Sequence, residues 1–197
     1  MSGQRWESDP TFAAVFAATG VFPLQAGSSD SVAIATLQPG GYTLLVKNTD
    51  GTAGVLLTEI YDLDQTSTSH FFNLSARGSS GSGENVLIGG FIIQGDGPQK
   101  VLIRGMGPAL VKYNVQGTLP NPQLRIYNSS GVLVAQNDNW SPADISATTS
   151  SIGAIPLESG STDAAVVLTL NPGAYTAIVS DVNGTRGVGM VEIFEVR

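Results

Sequence analysis

Short apolar runs alternate with polar turn segments along most of the chain. The turns are rich in Gly, Pro, Ser, Asn and Asp, and they recur at intervals of about ten residues. This spacing predicts antiparallel hairpins of a β-sandwich rather than alternating strands and helices. Residues 12–18, with Ala and Phe at mixed spacing, predict the one short helix. The predicted strands are residues 32–37, 42–46, 55–61, 71–74, 86–93, 100–104, 123–127, 132–136, 165–170, 175–179 and 188–196.

A long internal repeat organises these strands. Residues 20–61 align without a gap with residues 153–194, so that Gly20 corresponds to Gly153 at an offset of 133, and about half of the aligned positions are identical. Each aligned segment contains three predicted strands. The chain is therefore predicted to be all-β, with a complete antiparallel, jelly-roll-like β-sandwich at residues 65–197. Residues 1–64 are predicted to be the C-terminal half of a preceding repeat.

This half repeat has a physical consequence. Three strands without the rest of their sandwich expose an apolar face and at least one unpaired edge. The half repeat is therefore expected to pack either on the complete domain or on another chain. Both alternatives stay open at the level of the sequence.

Composition and charge exclude several classes of function. The chain carries a net charge of −7 with a pI near 4.4, and its nine basic residues are scattered, so the electrostatic footprint of a nucleic-acid-binding protein is missing. The apolar runs are far shorter than the roughly 20 residues that span a bilayer. The absence of cysteine excludes disulfides, thiol catalysis and thiolate metal sites.

Catalytic equipment is also missing from the sequence. His70 is the only histidine, and no Gly-x-Ser-x-Gly elbow, Gly-x-Gly-x-x-Gly helix start or Walker motif occurs. We therefore predict that the chain is not an enzyme. The many glycines are interpreted as turns and bulges, and Gly105, Gly107 and Pro108 are predicted to form a tight bend.

Two glutamates are repeat equivalents, which favours a structural role over glycoside hydrolysis. Glu59 aligns with Glu192, and both lie in the last strand of their segment. Arg104 lies in an apolar strand, where a guanidinium needs a partner. We therefore expect an Arg–Glu pair, with Arg77 or Arg104 as the arginine.

A family resemblance comes from several segments. Residues 121–139 carry a strand pair ending in Asn-Asp, and residues 163–179 carry Leu-Asn-Pro-Gly-Ala-Tyr. Together they resemble the bacterial pre-peptidase C-terminal domains. Residues 73–78, 85–93 and 101–110 resemble an uncharacterised repeat of large bacterial secreted surface proteins. The resemblance implies an accessory extracellular module with a jelly-roll-like fold, sometimes calcium-bound and without catalytic activity.

One oxygen-rich loop is a candidate calcium site. Asn137, Asp138 and Asn139, with Asp163 placed nearby by the resembled fold, offer the carboxylate and carbonyl oxygens that Ca²⁺ prefers. The alternative is a loop whose Asx side chains cap backbone groups. No other cofactor is expected. The first repeat has Gly3-Gln4-Arg5 in the corresponding place, so a calcium site common to both repeats is not expected.

Four aromatic residues have two possible roles, sugar stacking and packing within the fold. Trp6, Trp140, Tyr42 and Tyr175 can be interpreted as a sugar-stacking platform, but the correspondence between the repeats favours packing. The sequence thus predicts a secreted or cell-surface structural module, such as a repeat of a filament, layer or adhesin stalk, that self-associates through β-strand edges. The alternative is a glycan- or substrate-binding accessory domain of a secreted enzyme. Residues 1–10 contain no signal-peptide pattern, so the chain is either cytoplasmic or an excised piece of a longer protein. We expect the excised piece, because the chain begins inside a repeat.

Overall fold

A computed structural model describes residues 3–19, 21–64 and 69–197. The chain divides into two compact units, Met1–His70 and Phe71–Arg197. The repeat boundary between residues 64 and 65 stays a prediction. Among the described residues, none of the helices has both the length and the apolar character that a membrane crossing requires.

The described residues of the first unit contain little regular structure. Its two short strands, β1 (Gln4–Arg5) and β2 (Ser31–Val32), pair in antiparallel fashion. Helix α1 (Thr11–Thr19) confirms the predicted helix and buries Phe12. The Asp9 carboxylate accepts hydrogen bonds from the Thr11 backbone N–H at 2.8 Å and the Thr11 hydroxyl at 2.7 Å. These bonds fix the start of α1 and lower the pKa of Asp9 below its ordinary value.

The strands predicted at 32–37, 42–46 and 55–61 are wrong for this structure. Residues 33–64 are all described, and none of them lies in a strand. The sequence pattern records which residues are apolar, but a strand also needs a neighbour for its backbone N–H and C=O groups. We call residues 33–63 the unpaired segment.

The second unit is a β-sandwich of eight strands. Its sheets have the orders β3-β10-β5-β8 and β4-β9-β6-β7, and all pairs are antiparallel. The strands are β3 (Asn73–Ser80), β4 (Leu87–Ile93), β5 (Gln99–Met106), β6 (Pro122–Asn128), β7 (Leu133–Asn137), β8 (Ala164–Leu170), β9 (Gly173–Asp181) and β10 (Gly187–Val196). The first strand lies beside the last in one sheet, and the second beside the next to last in the other, which is jelly-roll order. The predicted fold class is confirmed.

The core lies between the two sheets, and β5 is buried on both faces. Val101 and Ile103 point into the inter-sheet core, whereas Leu102 points into a second apolar cluster on the outer face of its sheet. Helix α2 (Pro142–Ser151) and the 3-10 helix Pro108–Tyr113 contribute buried side chains to that outer cluster. The outer cluster is formed by Leu102, Met106, Leu110, Ile145, Leu157, Ala165, Phe194 and Val196.

Three local features of the second unit differ from the sequence prediction. Gly105, Gly107 and Pro108 are predicted to form a tight bend, but only Gly107 lies in a bend, whereas Gly105 belongs to β5 and Pro108 begins a 3-10 helix. Helix α2 was not predicted, because its Ser- and Thr-rich sequence lacks an apolar period. Strand β3 extends through Gly78 to Ser80, which were assigned to turns, since β10 pairs with β3 along its whole length.

Candidate functional site

The buried polar centre of the second unit is the pair Arg104–Glu192. These residues lie directly opposite each other on β5 and β10. Arg104 is 0% exposed, and its Nε donates to Glu192 Oε2 at 2.8 Å while its Nη2 donates to the same oxygen. Its Nη1 donates to the carbonyl oxygen of Ile155 at 2.5 Å, and its guanidinium lies 5.2 Å from the centre of the Phe194 ring. The expected Arg–Glu pair is confirmed, with Arg104 as the arginine.

Asp163 is a second buried carboxylate, and it anchors the loop after β5. Its carboxylate accepts the Gly107 N–H at 2.8 Å, the Ala109 N–H at 3.2 Å and the Ser161 hydroxyl at 2.8 Å. Asp163 is 0% exposed, and it lies immediately before β8. It therefore ties the end of β5 to the start of β8, and these bonds replace the solvation that burial removes.

The other three residues of the candidate calcium site lie at the end of β7 and in the loop that follows it. Asn137 Oδ1 accepts the Ala165 N–H at 3.0 Å, and Asn137 Nδ2 donates to the Asn139 carbonyl oxygen at 3.0 Å. Asp138 and Asn139 are exposed. Within the described part of the chain, no three His, Cys, Asp or Glu side chains form a group that could hold a metal. The contacts favour the capped-loop alternative, and the calcium site stays a prediction.

Chelation tests the calcium prediction. If Asp138 and its neighbours bind Ca²⁺ in the folded state alone, calcium at about 100 times its Kd should raise stability by about 2.7 kcal/mol. EDTA should reverse the shift, and Asp138→Asn should reduce it. The measurement is the thermal midpoint in calcium and in EDTA, with magnesium as the control. Identical melting curves in all three buffers would leave the capped loop as the explanation.

The two tryptophans occupy the same place in the two repeats. The Trp140 backbone N–H donates to the Asp163 carbonyl oxygen at 2.9 Å, and its Nε1 donates to the Glu158 carbonyl oxygen at 3.2 Å. In the first unit the Trp6 N–H donates to the Asp30 carbonyl oxygen at 3.3 Å, and its Nε1 donates to the Gln25 carbonyl oxygen at 3.2 Å. Asp30 and Gln25 align with Asp163 and Glu158. The first unit thus keeps these hydrogen bonds of the repeat although its residues 33–64 form no strand.

The two tyrosines are also held within their own repeats. Tyr175 stacks on Phe91 with ring centres 5.5 Å apart, and its hydroxyl donates to the Asn171 carbonyl oxygen at 3.0 Å. The Tyr42 hydroxyl donates to the Gln38 carbonyl oxygen at 2.8 Å. Because Gln38 aligns with Asn171, this is the same bond in both repeats. These contacts support the packing interpretation of the aromatic residues.

The unpaired segment carries apolar side chains in solvent at positions whose equivalents form the sandwich. Val55 is 99% exposed and Leu57 is 83% exposed, although they align with residues of β10. Glu59, the equivalent of Glu192, is exposed and accepts the Tyr61 hydroxyl at 3.0 Å. Burial of Tyr61, with the hydrogen bond to Glu59 and its negative charge, raises the pKa of the Tyr61 phenol above its ordinary value. Glu59 and Asp30 align with Glu192 and Asp163, which are buried in the second unit.

A small recess lies beside Trp140. Its volume is about 60 Å³, and its walls are Trp140, Ser146, Thr149, Ser150, Pro156 and Leu157. The Thr149 hydroxyl is buried and has no hydrogen-bond partner among the described residues. A space of this size holds a few small polar atoms, such as ordered water or one substituent of a larger ligand.

Comparison with known proteins gives only a distant structural likeness. No protein-family model and no curated protein matches the chain. Among solved structures, it is similar to the pre-peptidase C-terminal domain of a collagenase from Bacillus anthracis, with a TM-score of 0.38 and 11% identity over 62% of this chain and 89% of that one. A similarity this distant does not transfer a function, and the fold assignment rests on the strand pairing described above.

Proposed function

We propose that this chain is a non-catalytic structural module of a secreted or cell-surface protein, and that it assembles with other copies through β-strand pairing by the unpaired segment. One observation carries the proposal. The unpaired segment repeats the sequence of β8, β9 and β10, yet its apolar side chains and its backbone are left without a sheet. The role of the segment therefore depends on the partner that covers these side chains and pairs with this backbone.

Exposure of this segment is unfavourable in water. Soluble monomers rarely display large contiguous apolar surfaces, and unpaired strands readily add to the edge of another sheet. The edges available on the second unit are β3 and β8 in one sheet, and β4 and β7 in the other. Pairing with such an edge on another copy would satisfy backbone hydrogen bonds and cover apolar side chains together.

The segment is a poor substitute for β8 to β10 inside this sandwich. Leu56 aligns with Gly189, where even a Cβ atom would lie 2.8 Å from Leu119 Cδ1. Leu44 aligns with Ala177, which is 0% exposed. Over-packing of this kind destabilises a core. The segment would therefore add to another copy rather than replace its strands, and a head-to-tail contact of this type gives rings or open filaments.

The mass of the full chain in solution tests this proposal. We expect light scattering and negative-stain microscopy to show oligomers or filaments that grow with concentration. Leu45→Lys with Leu57→Lys should abolish them, because each lysine places a charge on the apolar surface that pairing covers. Val111→Lys, at an exposed position of the 3-10 helix in the second unit, is the control and should assemble like the parent. A parent that remains monomeric at every soluble concentration contradicts self-assembly.

Glycan binding is the second candidate, and the recess beside Trp140 favours it. An indole wall with Ser and Thr hydroxyls suits a sugar, whose ring has an apolar face and a polar rim. A glycan screen with the full chain and with Ser146→Ala combined with Ser150→Ala separates this candidate from the first, because a sugar in the recess would contact these exposed hydroxyls whereas self-assembly would not depend on them.

A further inference from the structure

Going beyond self-assembly but resting on the same unpaired segment, we infer that this segment recognises a particular kind of β-strand. The strand carries an arginine followed by Gly-x-Gly-Pro, the pattern of residues 104–108 at the end of β5. The strand comes from outside residues 1–197, because β5 of a folded copy already has a neighbour on each side. In its absence, copies of the chain cover the segment for one another.

The second unit supplies the template for this complex. There β5 lies between β10 and β8 and forms antiparallel pairs with both. Residues 33–37 and 54–63 of the unpaired segment are equivalent to most of β8 and to β10. A β5-like strand could therefore pair with both of these arms at once. Pairing along two edges satisfies more backbone groups than addition at a single edge.

The negative charge of Glu59 favours an arginine in the incoming strand. In the second unit, Glu192 lies opposite Arg104 and takes two of its hydrogen bonds. Glu59 is at the corresponding position of the first repeat, and it is exposed. A guanidinium on the incoming strand would face Glu59 in the same register. Arginine fits better than lysine, because its planar fork also reaches a neighbouring carbonyl, as it reaches that of Ile155.

A second carboxylate, that of Asp30, favours Gly-x-Gly-Pro at the end of the strand. Asp163 holds the N–H groups of Gly107 and Ala109, which follow β5. Asp30 aligns with Asp163 and is exposed. The loop after the incoming strand would bring two N–H groups to Asp30. The two carboxylates thus define the direction and the register of the strand.

The side chains of the segment are compatible with such a strand. Opposite β5, the residues Val191 and Phe194 of β10 are replaced by Thr58 and Tyr61, which are close in size. The clash that Leu56 would make is with Leu119, and Leu119 is not part of β5. An isolated strand therefore avoids the obstacle that excludes the segment from an intact second unit.

Binding of a synthetic peptide with the sequence of residues 99–109 tests the inference. The full chain is titrated into the labelled peptide at concentrations below the onset of assembly, and fluorescence anisotropy is measured. We expect saturable binding that Glu59→Arg weakens at least about tenfold. A peptide with Arg104→Glu should bind the parent equally poorly and should recover affinity for Glu59→Arg. A peptide ending at Met106 should also bind more weakly, because it lacks the groups for Asp30.

The control is Glu84→Arg, which makes the same charge change at an exposed turn of the second unit and should bind like the parent. Equal binding by the parent and Glu59→Arg, or no saturable binding at all, overturns the inference. Self-assembly is judged separately from the mass of the chain without peptide. Oligomers that do not bind the peptide would support the proposed function and refute this inference. A monomer that binds the peptide in a Glu59-dependent way would support this inference and refute self-assembly.

Discussion

Replacing Arg104 by leucine is expected to lower the free energy of unfolding by about 3–5 kcal/mol, as removal of one partner of a buried ion pair typically does. Glu192 is buried at 7% exposure, so the change would leave its negative charge without a counterion. The Ile155 carbonyl oxygen would also lose its charged donor. Urea denaturation of the parent and the variant, analysed as a two-state transition, measures the difference.

Two further variants distinguish the contribution of the ion pair to stability from that of side-chain packing. Glu59→Gln changes the repeat equivalent of Glu192 in solvent, and we expect it to alter stability by no more than about 0.5 kcal/mol. Arg104→Leu combined with Glu192→Leu removes both charges, and the pair should recover much of the loss from the single change. A single variant as stable as the parent would show that the pair contributes little. A double variant no better than the single one would show that the loss does not come from the unpaired charge of Glu192.

Truncation of Leu170 to alanine is expected to cost about 2–5 kcal/mol, because it opens a cavity in the inter-sheet core. Leu170 is 7% exposed, whereas its repeat equivalent Leu37 is 54% exposed. Leu37→Ala should therefore change stability by no more than about 0.5 kcal/mol in a dilute, monomeric sample. The two variants carry the same substitution at equivalent positions of the repeat, one buried and one exposed.

Tyr175 and Tyr42 give a second matched pair with the same logic. Tyr175→Ala removes a ring stacked on Phe91 and is expected to cost about 2–5 kcal/mol, whereas Tyr42→Ala removes an exposed ring. Chemical denaturation of the four variants is the measurement. Equal losses at equivalent positions would mean that the first repeat is as well packed as the second, and wild-type behaviour at Leu170 and Tyr175 would place both outside the core.

Hydrophobic patterning predicted the second unit well because each of its apolar runs has a partner in the same chain. Residues 165–170, 175–179 and 188–196 were predicted as strands, and they lie within β8, β9 and β10. The same pattern failed at residues 32–37, 42–46 and 55–61. Periodicity reports which side chains would face a core, but pairing is a property of the whole sheet.

The polar interactions were predictable where the free-energy cost of burial leaves few choices. A guanidinium within the apolar run at Arg104 requires an acidic partner, and the structure provides Glu192. Calcium binding by Asp163 stays a prediction, and its contacts with the N–H groups of Gly107 and Ala109 were not predicted. The useful signal was Pro108 directly after a strand, since proline favours the first turn of a helix whose N–H groups need a cap.

Hydrogen exchange of the full chain tests the central claim most directly, namely that one sequence is paired in one repeat and available in the other. In dilute solution, the amides of residues 164–196 should exchange slowly and those of residues 33–63 should exchange at nearly unprotected rates. When the chain assembles, protection should appear at residues 33–63 while that of residues 164–196 is unchanged. Slow exchange at residues 33–63 in the monomer, or assembly without new protection there, would contradict the account.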